Sequence, residues 1–177
     1  MRVLTTDRLL LRDFTTEDVE AVHTYAADPE VCRFVEWGPN TEDQTRQFVT
    51  EMVAAASLPD RTSFTWAVTA SGAVVGACSI SVTSAVHRRG ELGYVLARAH
   101  WGLGYATEAA TAVLAFGRDE LGLHRVEATC RPGNVGSQRV LRKLGMQQEG
   151  VLRSHMLIRG RREDSLLFAT VSDAPWS

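Results

Sequence analysis

The chain has 177 residues, a net charge of −2 and an ordinary balance of apolar and charged side chains, which suits one domain with its own core. No apolar run reaches the length of a membrane span, no signal-peptide pattern is present, and the charge argues against bulk electrostatic binding of nucleic acid. Cys32, Cys78 and Cys130 are odd in number and lack CxxC spacing, so reduced thiols, no metal site and a cytoplasmic location are expected.

Residues 8–14, "RLLLRDF", read as a first strand. Thr15 with Asp18 three residues on marks a helix start, and Val19, Val22 and Ala26 supply its apolar stripe. Asp28 caps a short helix that has Pro29 in its first turn, and "EWGP" from Glu36 breaks it. Thr41 and Gln44 form a capping box for a helix with Phe48, Val49, Met52 and Val53 on its apolar face, ending before Pro59.

Three strand-like runs follow at 63–70, 73–82 and 91–97, joined by a tight turn at Ser71–Gly72 and a looser "HRRG" near His87. A helix then runs to about residue 121 with Gly122 as its stop, followed by a strand at 124–130. A helix at 135–144, capped by Gly145, precedes two strands at 151–158 and 164–171 joined by "RGRR". With no repeat or linker, the order is that of a single mixed α/β (α+β) domain over residues 1–177.

"HWGLGYATEA" places Gly102, Gly104 and Ala106 at the mouth of the long helix, where glycine is disfavoured by roughly 1 kcal/mol against alanine. A helix N-terminus offers unpaired N–H groups and partial positive charge, so a backbone bare of side chains there suits a phosphate on the amides from Leu103 to Ala106. Close helix-to-sheet packing explains a lone GxG equally well. A dinucleotide fingerprint is excluded by Thr107 in place of its third glycine, and a Walker loop by the position of the only lysine, Lys143, on another helix.

"GYVLARAHWGLGYATEA" followed by "NVGSQRVLRKLGM" resembles the GNAT superfamily of N-acetyltransferases, in its RimJ/RimL-like branch, which acetylates N-terminal amines of ribosomal proteins. The likeness begins at "TDRLLLRDF" and covers nearly the whole chain. The family's Gln/Arg-x-x-Gly-x-Gly/Ala motif stands here as Trp101-x-x-Gly104-x-Ala106, with Tyr105 inside it. The resemblance implies a central, mostly antiparallel, strongly twisted mixed sheet of about six to seven strands flanked by helices, splayed between the fourth and fifth. It implies acetyl-coenzyme A as acetyl donor, with its pyrophosphate on the Leu103–Ala106 amides and its pantetheine arm against the backbone of Tyr94, Val95 and Leu96.

The same resemblance matches Asn-x-x-Ser/Ala to Asn134 and Ser137. Asn134 is explained sufficiently as a helix N-cap, and its side chain can also reach the cofactor or a water. Ser137 stands where the family brings the thioester sulfur. Many relatives carry an acidic tyrosine four residues further on, but this chain has Leu141, so the acid role passes to Ser137. Glu91 is the first candidate for a base; a solvated strand-end glutamate is the competing account. His155 and Glu36 are further candidates. Cys130 reads as a buried inert thiol, not an acyl carrier.

An α-amine sits within one pKa unit of neutrality and a lysine amine about three above it, so an α-amine needs no strong base. The acceptor site is expected between residues 25–37, the turn near Arg88 and residues 153–164. Glu36 and Trp37 are candidates to hold the amine there with His155, while Trp66 reads as core and Arg159, Arg161 and Arg162 as a solvated turn. The expected partner is a primary amine on a protein N-terminus or a small molecule, an aminoglycoside among them, with no nucleic acid or membrane; a homodimer is compatible with the sequence. Coenzyme A binding without transfer, and a pure protein-interaction module, remain open alternatives.

Overall fold

The computed structural model describes residues 2–172. Its strands are β1 (Leu4–Thr5), β2 (Leu9–Arg12), β3 (Ser63–Ala70), β4 (Ala73–Ser84), β5 (Arg89–Leu96), β6 (Arg125–Cys130), β7 (Gln147–Ile158) and β8 (Arg161–Val171). The helices are α1 (Val19–Ala26), α2 (Pro29–Cys32), α3 (Glu42–Ala56), α4 (Tyr105–Asp119) and α5 (Val135–Lys143). Among the described residues the eight strands form one sheet in the order β1-β2-β3-β4-β5-β6-β8-β7. Every pairing is antiparallel except β5 with β6.

Local signals account for most boundaries. The Asp18 carboxylate accepts the Thr15 N–H at 2.8 Å, Asp28 accepts the Glu30 N–H at 2.8 Å, and Thr41 and Gln44 complete their reciprocal box at 2.9 and 3.3 Å. Ser71 and Gly72 both have positive φ, as a two-residue hairpin turn on twisted strands requires. The sheet exceeds the expected six to seven strands because two-residue β1, pairing Leu4 with Leu11, is too short to show a period. The first strand is shorter than 8–14, β5 starts at Arg89 instead of residue 91, and β7 and β8 begin earlier, in polar segments. Those additions lie at a sheet edge and a hairpin tip, where alternation has no buried face to report.

The sheet is covered on both faces. Leu11, Trp66, Val68, Ile80 and Leu92 meet Ala110, Val113 and Phe116 of α4 and Leu141 of α5. On the opposite face Ala67 and Ala77 meet Val22, Tyr25 and Ala26 of α1 and Val49 of α3. Trp66 is fully buried, as expected of core, and its indole N–H reaches the Arg2 carbonyl at 3.0 Å.

The feature that positions the site is the junction of β5 with β6. They pair only at Arg89–Arg125, Gly90–Val126 and Glu91–Glu127. Beyond Glu91, β5 remains paired with β4 while β6 follows β8, so the sheet opens between them.

Candidate active site

The opening widens into a cleft of about 1100 Å³. Glu91, Tyr94 and Val95 of β5 line it, with Asn134 and Ser137 at the start of α5, Glu36 and Trp37 after α2, and His155 on β7. Of the nine sequence candidates outside the glycine loop, all but Leu96 therefore meet in one cavity. The side chain of Leu96 packs in the main core, and its carbonyl already accepts the Trp101 indole N–H at 2.9 Å.

That bond shows why a tryptophan serves at position 101: it ties the loop back to the end of β5. Gly102 and Gly104 then adopt φ of 79° and 84°, conformations that L side chains rarely take. Gly104 caps α4, whose first backbone bond runs from the Glu108 N–H to the Gly104 carbonyl at 3.0 Å. The amides of Tyr105, Ala106 and Thr107 precede that bond and lack intrahelical acceptors. Trp101, Gly102, Leu103 and Gly104 are exposed. An end of this kind, with free amides and a positive dipole, suits an anion.

Two residues that sequence reasoning passed over hold the loop. Arg8 donates to the Leu103 carbonyl at 2.9 Å and to Glu108 Oε2 at 2.7 Å, and lies 4.8 Å over the Tyr105 ring. Thr6 Oγ1 and the Arg8 N–H both donate to Glu108 Oε1, at 2.6 and 2.9 Å. Burial works against the Glu108 charge, but these hydrogen bonds and the Arg8 cation hold its carboxyl below the usual range. The legible signal was the "TDR" just before β2, whose Arg8 lies 100 residues from its partner.

At the cleft's centre Asn134 Oδ1 accepts the Ser137 N–H at 3.0 Å, fixing the first turn of α5. Tyr94 Oη reaches Ser137 Oγ at 2.8 Å and the Ser137 carbonyl at 3.2 Å. Position 94 was expected to act through its backbone; its phenol is the larger finding, since Leu141 is fully buried and offers no acid. Burial, outweighing the hydrogen bond with Ser137, pushes the Tyr94 phenol well above its ordinary value. Burial likewise raises the Cys130 thiol despite its Ser137 contact, which agrees with an inert cysteine.

Glu91 and Glu127 are register partners on one face. Burial, then Glu127, and to a smaller degree Glu36, raise the Glu91 carboxyl, while His155 opposes them. Glu127 is itself paired with Arg125 at 2.7 Å, and His155 Nδ1 lies 2.7 Å from Ser165 Oγ. In the "RGRR" turn Arg161 and Arg162 are exposed, as expected of a solvated turn, but Arg159 departs from that role. Arg159 donates to the carbonyls of Cys32 and Gly38 at 2.8 and 2.9 Å, fastening the segment that carries Glu36 and Trp37.

Comparison with known proteins agrees with this geometry. Residues 8–147 match the family described as Acetyltransferase (GNAT) domain. An uncharacterized N-acetyltransferase, p20, of Bacillus licheniformis is 34% identical over 170 residues, 96% of each chain. The crystal structure of a GNAT-family acetyltransferase from Bacillus anthracis superposes with a TM-score of 0.86 at 32% identity, covering 96% of this chain and 98% of that one. Mycobacterium smegmatis RimJ in complex with a CoA-disulfide gives 0.83 at 26% identity, over 93% and 82%.

Proposed function

The chain belongs to the GNAT acetyltransferases, and from that membership we propose that it carries an acetyl group from acetyl-coenzyme A directly to the primary amine of a protein N-terminus or a small molecule. The observation that carries the reading is the opening beyond Glu91. It leaves one edge of β5 without a strand, leads to a loop of bare amides and faces Ser137.

The residues present fit the donor. The unpaired amides at the start of α4 and the neighbouring Arg8 guanidinium suit a diphosphate between Leu103 and Ala106, with Trp101, Gly102, Gly104 and Tyr105 shaping the loop. The free edge of β5 at Tyr94 and Val95 suits the amides of the pantetheine arm. When bound, acetyl-coenzyme A supplies the acyl group as a thioester open to attack by an amine.

Glu91, directly or through water, accepts the proton that the acceptor amine must shed; its raised pKa brings it closer to the working pH. Ser137 Oγ–H donates to the leaving sulfur. Tyr94 remains protonated and serves as a hydrogen-bond donor that orients Ser137 and supports the charge it faces. Asn134 holds the helix turn on which Ser137 stands. Glu36, Trp37 and His155 line the acceptor side.

The test is release of free thiol from acetyl-coenzyme A when the protein is offered peptides with varied N-terminal residues, amino acids, polyamines and aminoglycosides. Acceptor-dependent release supports the proposal. Coenzyme A binding without release for any acceptor rejects transfer, and no binding rejects the site.

A further inference from the structure

Arg131 directly follows β6 and lines the cleft beside Glu127 and Thr129. It is only 8% exposed, yet its Nε and Nη1 are buried with no hydrogen-bond partner, and no ion pair among the described residues includes it. Buried charges in folded proteins are paired, and buried donors are bonded, so an unpartnered guanidinium in the wall of this cleft marks a place where an acceptor of hydrogen bonds belongs.

The location narrows what that acceptor is. The Arg131 carbonyl accepts the Asn134 N–H at 2.9 Å, which roots the guanidinium just before the turn that carries Ser137. The carboxylates lie towards the other end: Glu91 and Glu127 are partners where β5 and β6 still touch, and Glu127 precedes Arg131 by roughly 13 Å of strand. The cleft is thus polarised along β6, with carboxylates where β5 and β6 still touch and Arg131 beyond the strand's other end. A purely polycationic acceptor would meet an unscreened guanidinium in the cleft wall.

We propose that Arg131 receives an anionic oxygen group of the acceptor, so that the acceptor is a compact zwitterion: an amine carrying a carboxylate or a phosphate. The inference rests on the acetyl-transfer reading above. Arg131 is a specificity residue in it, binding the part of the acceptor that does not react while the carboxylates draw the amine.

The test pairs acceptors that differ in the anion alone. Amino acids are compared with their carboxamides, and O-phosphoethanolamine with ethanolamine, by thiol release, alongside spermidine as a polycation. The wild type is expected to favour the anionic member of at least one pair by about tenfold or more in kcat/KM, chiefly through KM. Arg131→Gln should collapse that preference to within about twofold, with coenzyme A affinity by calorimetry little changed; Arg131→Lys should keep part of it.

A preference for carboxamides, ethanolamine or spermidine overturns the proposal, as does an anion preference that survives in Arg131→Gln. A uniform fall in kcat for every acceptor assigns Arg131 to the reacting carbonyl and overturns it too. A loss of coenzyme A affinity in both variants, with circular dichroism unchanged, places the guanidinium on the donor and does the same. If coenzyme A binds and peptides or aminoglycosides alone are acetylated, the zwitterion fails while the transferase stands. If coenzyme A does not bind the wild type, the transferase reading itself has failed.

Discussion

The phenol oxygen of Tyr94 on β5 lies 2.8 Å from the hydroxyl of Ser137 on α5, across the opening of the sheet. One residue comes from the strand edge expected to face the pantetheine arm and the other from the helix turn expected to face the sulfur. Tyr94→Phe keeps the ring and removes the donor, so kcat should fall about tenfold, the worth of one oriented hydrogen bond, with coenzyme A affinity little changed. Ser137→Ala should lower kcat further. The double variant should resemble Ser137→Ala, because the two hydroxyls act as one unit. Steady-state kinetics with calorimetry of coenzyme A decide it; additive losses would separate the two roles.

Glu91 carries a carboxyl raised above its ordinary value of 4.5 by burial, then by Glu127 and Glu36, against His155. The folded state therefore holds that proton more tightly than the unfolded chain. The resulting stability is full below about pH 4.5 and is lost as pH rises through the folded value. Glu91→Gln should thus melt higher than wild type at pH 7 and no differently at pH 4. It should also erase the acid limb expected of the wild-type rate, with the larger loss for lysine-like acceptors. Differential scanning calorimetry and a pH–rate profile check the two halves.

Gly104 has a φ of 84°, and a Cβ there would come 3.3 Å from Arg8 Nη2. Gly104→Val should therefore strain the cap and crowd the guanidinium that braces the loop, weakening coenzyme A binding about tenfold or more. Gly102→Ala meets nothing within 4 Å and bears only the backbone strain of its φ of 79°, so its loss should be smaller. Equal affinities for both variants and wild type, by calorimetry, would remove the loop from the donor site.

Glu108→Gln weakens the clamp joining the chain before β2 to the start of α4, where Thr6 and Arg8 converge on one carboxylate. Because the folded carboxyl lies below its ordinary value, this stabilisation is present above about pH 4.5 and disappears as pH falls through the folded value. The variant should lose about 1 kcal/mol at pH 7 in urea unfolding and approach wild type in acid.

Arg159→Ala removes the donor that gathers the carbonyls of Cys32 and Gly38. The segment bearing Glu36 and Trp37 should loosen, raising KM for the acceptor several-fold while coenzyme A affinity holds. An unchanged acceptor KM would make the contact incidental.

What the chain discloses in sequence is chiefly what is local. The caps at Asp18, Asp28, Thr41 and Asn134 and the glycine turns at 72, 102, 104, 122 and 145 each act within a few residues, and each stands where its residue type requires. Trp66 and Leu141 were legible as core through alternation and helical spacing. Contacts between distant segments were not. Tyr94 and Ser137 are 43 residues apart, and Arg8 and Glu108 are 100 apart. Arg159 read as a solvated cation because nothing near it in sequence hints at carbonyls 121 to 127 residues away. Arg131 is illegible for the same reason: a charge next to a strand end looks exposed until the fold closes over it.

The account turns on a diphosphate held by main-chain amides at the start of α4 while the thiol end reaches Ser137. A crystal structure of the protein grown with coenzyme A tests this most directly. The account predicts phosphate oxygens within hydrogen-bond distance of the amides between Leu103 and Ala106 and the sulfur beside Ser137 Oγ. Coenzyme A bound with its diphosphate away from that loop, or with its sulfur outside the opening between β5 and β6, would contradict it.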